Sequence, residues 1–170
     1  KFKIDIKSKS KLPKPEYEVK KAADLSARLQ RWIPAKEKTI VYFPYASLAN
    51  DAKKGLRSFA GITVNDSIGT YTGRNIDELS LECFNAQKRE TFEKFRKGVT
   101  PVMYATKAFG MGVDVNDIKN VYHYAVTGNL CDYVQEIGRA ARKGSMTGYA
   151  ATDFYYNDLT FMKALFGMSQ

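Results

Sequence analysis

The sequence contains few of the residues that build metal centres and disulfide frameworks. Its 170 residues include two cysteines, Cys83 and Cys131, and one histidine, His123. The cysteines form no CxxC pair, and a single imidazole cannot supply the ligand set of a histidine-based zinc site. These absences argue against a metalloprotein and against a disulfide-stabilised secreted domain, so we expect no metal ion and reduced thiols.

Long apolar runs and secretory signals are also missing. No stretch approaches the ~20 apolar residues that span a bilayer, and no apolar signal region follows the first residues. We therefore expect a cytoplasmic protein that does not contact a membrane. Because the first residue is Lys1 and not Met, we also expect this segment to come from a longer chain.

The sequence has no phosphate-binding loop of the GxxxxGK[ST] type, whose backbone amides and lysine hold the phosphates of a nucleotide. The stretch "DELS" at 77–80 imitates an acidic metal-binding box. It follows the polar "TGRNI", whereas an aspartate that coordinates Mg²⁺ must project from the end of an apolar strand. We therefore expect the segment, taken alone, not to hydrolyse ATP.

Positive charge is concentrated in the first part of the chain. The formal net charge is +9, and residues 1–38 hold 12 Lys and Arg against 5 Asp and Glu. The remaining residues have 15 against 13, so they are nearly balanced. We predict that residues 1–37 form a basic extended linker or edge strand with a leading helix, connected to an upstream lobe. This segment is either a solvated connector or an arm that contacts phosphates.

The rest of the chain alternates between apolar strands and amphipathic helices. A hydrophobic content of 44% and a charged content of 26% are typical of one globular domain with a real core. Strands are predicted at 39–43, 67–71, 100–106, 119–126 and 148–156. Helices are predicted at 19–33, 47–59, a segment closed by Gly98, the segment around 135–142, and one ending near Phe166. This alternation predicts an α/β fold for residues 38–170, with a parallel sheet covered by helices on both faces.

The predicted helix at 19–33 has an apolar stripe with helical spacing. Its members are Val19, Ala22, Ala23, Ser26, Leu29, Trp32 and Ile33. We expect this stripe to face the sheet.

Distinctive residue clusters follow several predicted strands. They lie at 44–47, 71–74, 106–114 and 135–142, either just after a strand or on the next helix. In an open parallel sheet, ligands gather at the carboxyl ends of the strands. We therefore expect these clusters to form one site.

The stretch "QEIGRAARKG" at 135–144 contains the most specific pattern. If it is helical, Gln135, Arg139 and Arg142 are spaced i, i+4 and i+7 and share one face. Two guanidinium groups on one face are either solvated or bind an anion. The spacing alone leaves both interpretations open.

A longer stretch of sequence favours the interpretation that the two arginines bind an anion. Residues 105–144, "ATKAFGMGVDVNDIKNVYHYAVTGNLCDYVQEIGRAARKG", resemble motifs V and VI of superfamily-2 helicases, and most closely those of RecQ-like DNA helicases. The stretch "RETFEKFRKGVTPVMYAT" resembles the helix and strand that introduce motif V, while "TIVYF" and "IGTYTGRN" stand where motifs IV and IVa are expected. The resemblance covers residues 38–156 and implies the second RecA-like lobe of a nucleic-acid-driven ATPase.

The resemblance assigns roles to motif VI residues. It implies that Arg139 and Arg142 reach ATP held by the first lobe, with Arg142 as the arginine finger that stabilises charge on the γ-phosphate. It also implies that Gln135 supports this network by hydrogen bonding, and that Gly138 allows close packing at the lobe interface.

Other site residues follow from motifs IV, IVa and V. The resemblance implies that Thr106, Gly110, Ser47 and Thr72 contact the nucleic-acid backbone. Gly112 and Asp114 would lie on the nucleotide side and couple the two ligands. The apolar residues of this loop, Phe109, Met111 and Val113, are expected to pack in the core.

The expected function is therefore that of the second lobe of an ATP-dependent DNA helicase or translocase. It would use ATP and Mg²⁺ bound mainly by an upstream lobe of the same chain, and act on single-stranded or partly duplex DNA. Two alternatives remain, an RNA helicase lobe and a binding module without ATP turnover. The pair Gln135 and Glu136 favours DNA, because motif VI of DEAD-box RNA helicases typically opens with His-Arg.

Overall fold

The computed structural model describes residues 2–60, 66–110, 115–140, 142, 144 and 146–159. Its strands are β1 (Phe2–Lys9), β2 (Thr39–Tyr42), β3 (Ile68–Tyr71), β4 (Val102–Ala105), β5 (Asn120–His123) and β6 (Gly148–Tyr155). Its helices are α1 (Lys14–Trp32), α2 (Ala46–Lys54), α3 (Leu81–Arg96) and α4 (Leu130–Ile137), with 3₁₀ turns at Arg57–Phe59 and Lys107–Gly110. Residues 156–159 are helical, and the end of the predicted last helix near Phe166 lies outside the described residues.

The strands form one sheet in the order β1-β6-β5-β2-β4-β3, and every adjacent pair is parallel. The pairing aligns the last residues of the central strands. Tyr42 lies opposite both Ala105 and His123, and Tyr71 lies opposite Ala105. The carboxyl ends of four strands therefore meet in one row, as the alternating sequence predicts.

The central strands are apolar because both of their faces are buried. Every residue of β2, β4 and β5 is buried. Successive side chains alternate between two cores, so Ile40 and Tyr42 pack on one face of the sheet and Val41 on the other. The near-continuous apolar runs seen in the sequence are those of strands covered on both sides.

Helices cover the two faces as predicted. On one face lie α1 and α2, whose buried residues include Leu25, Trp32 and Ala49. On the other face lies α3, through Phe95, together with the segment around Ala140 after α4. The predicted α/β sheet with helices on both faces is confirmed.

The ends of α3 are specified by its sequence. The Ser80 side chain accepts a hydrogen bond from the Cys83 backbone N–H at 3.2 Å, which is a standard N-cap. After the C-cap residue Lys97, Gly98 has a φ of +76°. Glycine adopts this left-handed conformation without a Cβ penalty, so the predicted role of Gly98 at the helix end is confirmed.

The basic leading segment belongs to this sheet in part. Strand β1 pairs with β6 along its whole length, from Phe2 opposite Gly148 to Lys9 opposite Tyr155. The sequence left open whether this segment is an extended linker or an edge strand, and in the structure it forms an edge strand. The sheet therefore includes residues on both sides of the boundary predicted at 37 and 38.

The stripe predicted for α1 is partly wrong. Ala22, Leu29 and Trp32 are buried as expected, but Val19 is 58% exposed. A lysine, Lys21, is buried instead, with 1% exposure. Apolar spacing could not identify it, because the partner that makes its burial tolerable lies far away in sequence.

That partner is Asp158, whose carboxylate lies 2.6 Å from the Lys21 ammonium and is fully buried. The Tyr17 hydroxyl donates to the same carboxylate at 2.8 Å. The rings of Tyr17, Tyr124 and Tyr155 each lie 5.6–5.7 Å from Lys21 Nζ, within the range of a cation–π contact. Burial lowers the pKa of Lys21, while the Asp158 carboxylate acts in the opposite direction. The pair joins α1 to the residues that follow β6.

We predict that Asp158→Ala will lower the free energy of unfolding of the 170-residue chain by about 3–5 kcal/mol, because it leaves a buried ammonium without its carboxylate. Urea denaturation followed by circular dichroism measures this change. The matched control is Asp77→Ala, which removes the exposed pair with Lys54 and should change the same free energy by about 0–1 kcal/mol. Equal small effects of the two substitutions would contradict this account of the buried pair.

Candidate functional site

Two residues predicted to contact nucleic acid lie just after the carboxyl ends of the neighbouring strands β3 and β4. Thr106 follows β4, and its backbone N–H donates to the Tyr71 carbonyl at 3.3 Å. Thr72 follows β3 and is buried, with its hydroxyl donating to the Arg74 carbonyl at 2.9 Å. The Thr72 side chain thus shapes its own loop, whereas Thr106 is half-buried at the start of the next turn.

The third residue predicted to contact nucleic acid, Ser47, is exposed in the first turn of α2, after β2. Strand β2 is the neighbour of β4 on the side opposite β3. Ser47, Thr72 and Thr106 therefore all lie on the side of the sheet where the carboxyl ends of the strands meet. Gly110 ends the 3₁₀ turn after β4, while the predicted residues Gly112 and Asp114 lie outside the described residues.

Phe109 belongs to the core, as predicted. It is fully buried, and its ring makes edge-to-face contacts with Tyr71, Phe92 and Phe95 at centroid distances of 5.1–6.4 Å. These contacts fix the turn that carries Gly110 against α3. Met111 and Val113 lie outside the described residues.

The helix predicted around the arginines is shorter than expected. Helix α4 ends at Ile137, and Gly138 is its C-cap. The next two backbone amides turn back to carbonyls only three residues earlier, Arg139 to Glu136 at 3.2 Å and Ala140 to Ile137 at 3.0 Å. The chain has tightened into a turn here. The prediction that Gln135, Arg139 and Arg142 share one helical face is therefore wrong.

Gly138 suits this tight turn. A Cβ added at Gly138 would lie 3.0 Å from the Val134 carbonyl oxygen, closer than ordinary contacts. Gly138 itself is exposed. Any side chain at this position would press on the last turn of α4.

The two arginines have different environments. Arg139 is 7% exposed, and its guanidinium donates a hydrogen bond to the Gly110 carbonyl. A Cβ at Gly110 would lie 3.3 Å from the same guanidinium, so the glycine also gives it room. Arg142 is exposed, as is Gln135 on α4. One arginine therefore holds the turn after β4, and the other faces outward.

Tyr42, the last residue of β2, is buried. Burial raises the pKa of Tyr42, and the positive charges of Arg139 and Arg142 act in the opposite direction. The contact that places an arginine in this part of the fold is the hydrogen bond from Arg139 to the Gly110 carbonyl, in the turn after β4.

Sequence reasoning missed a buried pair beside this cluster. His123 Nε2, at the end of β5, lies 2.8 Å from Glu136 Oε2 on α4. His123 is 1% exposed and Glu136 is 7% exposed. Both side chains have a chemistry that could signal a site, but only the fold brings residues 13 positions apart into contact.

An exposed ion pair makes a second link between the turn after β4 and α4. Lys107 Nζ lies 2.6 Å from Asp132 Oδ2. The hydrogen bond between the two side chains lowers the pKa of Asp132 and raises the pKa of Lys107. This contact, together with the Arg139–Gly110 contact, ties the segments of motifs V and VI together at two points.

A groove of about 650 Å³ runs along β3, between α2 and α3. The residues that line it include five cationic and two acidic side chains, namely Lys53, Lys54, Arg74, Lys88 and Lys94 against Asp66 and Asp77. Thr72 also lines this groove. Lys88 Nζ lies 4.6 Å from the centre of the Tyr71 ring. Lys88 could not be assigned to the site from sequence alone, because the Tyr71 ring that it contacts lies on β3.

Within the described residues, no three His, Cys, Asp or Glu side chains form a group that could hold a metal ion. Helices long and apolar enough to cross a bilayer are likewise absent from that part of the chain.

Residues 20–144 match the family model described as the helicase conserved C-terminal domain. The chain belongs to this family. The match includes β2 to β5, the turn with Gly110 and the arginine segment. The chain is thus a helicase C-terminal domain of superfamily 2, from a family of ATP-dependent nucleic-acid helicases.

Its relatives include both DNA and RNA helicases. The helicase domain is 46% identical over 71 residues to the ATP-dependent DNA helicase Q-like 5 of Arabidopsis thaliana, a match that covers 42% of this chain and 8% of that protein. It is 39% identical over 85 residues to the DEAD-box ATP-dependent RNA helicase 20 of the same plant, covering 50% of this chain and 17% of the relative. The chain therefore spans a small part of the curated relatives it matches.

Solved structures confirm the RecA-like fold. The E. coli DEAD-box protein SrmB, solved in complex with the regulator of ribonuclease activity A, superposes with a TM-score of 0.65 at 18% identity. That alignment covers 99% of this chain and 87% of the SrmB chain.

We predict that Arg139→Ala will lower the free energy of unfolding of the domain by about 1.5–3 kcal/mol, because it removes a charge-assisted hydrogen bond to a main-chain carbonyl. Arg142→Ala, at an exposed position of the same segment, should change it by about 0.5 kcal/mol or less. Thermal or urea unfolding of the two variants makes the comparison. A larger loss for Arg142→Ala would contradict the environments described above.

Proposed function

We propose that this domain is the second lobe of a RecQ-like, ATP-dependent DNA helicase or translocase. In this proposal Arg142 is the arginine finger for ATP bound by an upstream lobe of the same chain. The observation that carries the proposal is the contrast between the two arginines. Arg139 is buried and bound to the Gly110 carbonyl, while Arg142 is exposed.

An exposed guanidinium can provide what phosphoryl transfer requires. Negative charge on the transferred phosphoryl group must be stabilised in the transition state, and a fixed arginine does this without chemistry of its own. Arg142 can meet a phosphate that approaches from outside the lobe. Gln135, which is also exposed, can donate its side-chain amide to the same network.

We propose that Arg139 couples the binding of nucleic acid to the binding of ATP. Its guanidinium holds the carbonyl of Gly110, in the loop that we propose contacts the nucleic-acid backbone together with Thr106, Ser47 and Thr72. A shift of this loop on strand binding would move Arg139 and the segment that leads to Arg142. Gly138 allows the turn between α4 and this segment, and we place Gly112 and Asp114 on the nucleotide side.

ATP and Mg²⁺ would be held mainly by the upstream lobe, because this sequence has no GxxxxGK[ST] loop. ATP binding would close the two lobes on each other, and hydrolysis would reopen them and advance the strand. The isolated domain would therefore be inactive. We place this activity in the cytoplasm.

The groove along β3 extends the proposed nucleic-acid surface. Its cationic residues surround Thr72, which already stands at the proposed strand-contacting edge. Lysine side chains at this position would neutralise phosphates, which is the main source of affinity for single-stranded nucleic acid.

Gln135 and Glu136 support DNA as the substrate, because motif VI of DEAD-box proteins typically opens with His-Arg. The similarity to a DEAD-box RNA helicase supports the alternative, an RNA helicase lobe. The remaining alternative is a binding module without turnover, and the exposed Arg142 argues against it, since strand binding alone does not require a finger.

The test of the proposed function is ATP hydrolysis by the full-length parent protein with single-stranded DNA, with RNA of the same sequence and with neither. Strong stimulation by DNA is expected. Equal or stronger stimulation by RNA would move the assignment to RNA remodelling. An absence of turnover under all three conditions would leave a binding module.

We predict that Arg142→Ala in the parent will reduce the kcat of DNA-stimulated ATP hydrolysis by about 10³-fold or more, as expected for an arginine finger. The dissociation constant for the strand should change little. Arg31→Ala, at an exposed position on α1, provides the matched control and should leave kcat unchanged. Retained turnover in Arg142→Ala would remove Arg142 from the catalytic site.

We predict that Lys88→Gln will weaken binding of single-stranded DNA and reduce the slope of log K against log salt by about 1, the value for one lost phosphate contact. Titrations at several salt concentrations measure this slope. Lys20→Gln, at an exposed position on α1, should leave it unaltered. An unchanged slope in Lys88→Gln would exclude this lysine from the strand path.

A further inference from the structure

Helix α4 is attached to the sheet in an unusual way. Among its residues only Glu136 is buried, whereas Leu130 is 74% exposed and Val134 is 54% exposed. Most surface helices bury an apolar stripe, but here the buried side chain of the helix is a carboxylate. Half-buried Ile137 packs against the core at the end of α4, and the Glu136 carboxylate makes the buried polar contact of the helix.

The partner of Glu136 is a fixed imidazole. His123 is the last residue of β5, and its Nε2 lies 2.8 Å from the Glu136 carboxylate. Its ring stacks on Tyr42 with a centroid distance of 5.5 Å and an interplanar angle of 16°. On the other side, the Tyr133 ring centre lies 5.0 Å away.

The backbone at His123 is fixed as well, because the Thr152 hydroxyl donates to the His123 carbonyl at 2.9 Å. A carboxylate can only accept hydrogen bonds, so Nε2–H is the donor in this contact. A hydrogen bond is directional. A buried one between a rigid strand and a short helix therefore fixes the orientation of the helix as well as its distance.

Glu136 also connects directly to the arginine segment. Its main-chain carbonyl accepts the backbone N–H of Arg139 at 3.2 Å. One residue is thus anchored to β5 through its side chain and to the arginine turn through its backbone. Tyr42, the last residue of β2, stacks on His123, so the imidazole is held by a second strand as well.

We propose that the hydrogen bond between His123 and Glu136 is a positioning device for motif VI, which sets Arg142 at the distance from the sheet that catalysis requires. His123 and Glu136 act through the arginines and touch neither nucleotide nor strand. This inference rests on the proposed function, because it assigns a role within the same catalytic site. A pair that only stabilises the fold would affect unfolding and leave turnover by the folded enzyme unchanged.

If the pair positions the arginines, its loss should lower kcat and leave KM nearly unchanged. A finger displaced by about 1 Å can cost on the order of 10²-fold in rate, while ground-state binding of ATP depends mainly on the upstream lobe. In the full-length parent, Glu136→Ala should therefore lower the kcat of DNA-stimulated ATP hydrolysis by roughly 10- to 100-fold. The KM for ATP and the dissociation constant for DNA should change by less than about threefold.

Two further variants separate positioning from general damage. Glu136→Gln keeps the shape and an oxygen that can accept from Nε2–H, so it should recover most of the lost kcat. The double variant with His123→Ala and Glu136→Ala should lose no more than the worse single variant, because both substitutions remove the same contact. Glu18→Gln, at an exposed carboxylate on α1, is the matched control and should have the kcat of the wild type.

The outcomes distinguish this inference from the proposed function. Assays run below the melting temperature of each variant ensure that only folded enzyme is compared. Wild-type kcat in folded Glu136→Ala, or fully additive losses in the double variant, would overturn the positioning role and leave the proposed function standing. A wild-type parent without nucleic-acid-stimulated hydrolysis would overturn both.

Discussion

The parallel register of the sheet is the constraint on which the rest of this structure depends. Because neighbouring strands run in the same direction and their last residues are aligned, the loops after β2, β3, β4 and β5 all leave from one edge. Ser47, Thr72 and Thr106 are far apart in sequence, but each follows one of these strands and therefore lies near that edge. A parallel sheet must be covered on both faces, which explains the apolar strands and the helices between them.

Buried polar contacts then determine how the covering segments are attached. Lys21 and Asp158 join α1 to the residues after β6, His123 and Glu136 join α4 to β5, and Arg139 joins the arginine segment to Gly110. Such contacts are weak sources of net stability, because desolvation offsets most of their attraction. Their geometric precision matters more here.

The sequence was sufficient for the architecture of the domain. Alternating apolar and amphipathic segments predicted the parallel sheet, and Gly98 marked the end of α3 because its conformation excludes most other residues. The sequence was insufficient where a residue's role depends on a distant partner. The apolar stripe of α1 did not include Lys21, whose burial depends on Asp158. Nothing in "QEIGR" linked Glu136 to His123, which β5 brings to it.

The arginine segment shows a different limit. The spacing of Gln135, Arg139 and Arg142 matched a helical face, but periodicity does not reveal where a helix stops. Gly138 closes α4 after Ile137 and the next amides form a turn, so Arg139 points inward to Gly110 while Arg142 is exposed. Helical spacing would have concealed this difference between the environments of two arginines of the same motif.

In the function that we propose, this domain completes an ATPase site whose other half lies on an upstream lobe. The most direct measurement compares the kcat of ATP hydrolysis by the upstream part of the parent alone with that of the parent containing this domain, each with saturating single-stranded DNA. The account predicts that the upstream part binds ATP but turns it over at least about 10³-fold more slowly, because it lacks the finger. Equal turnover by the two proteins would contradict the account.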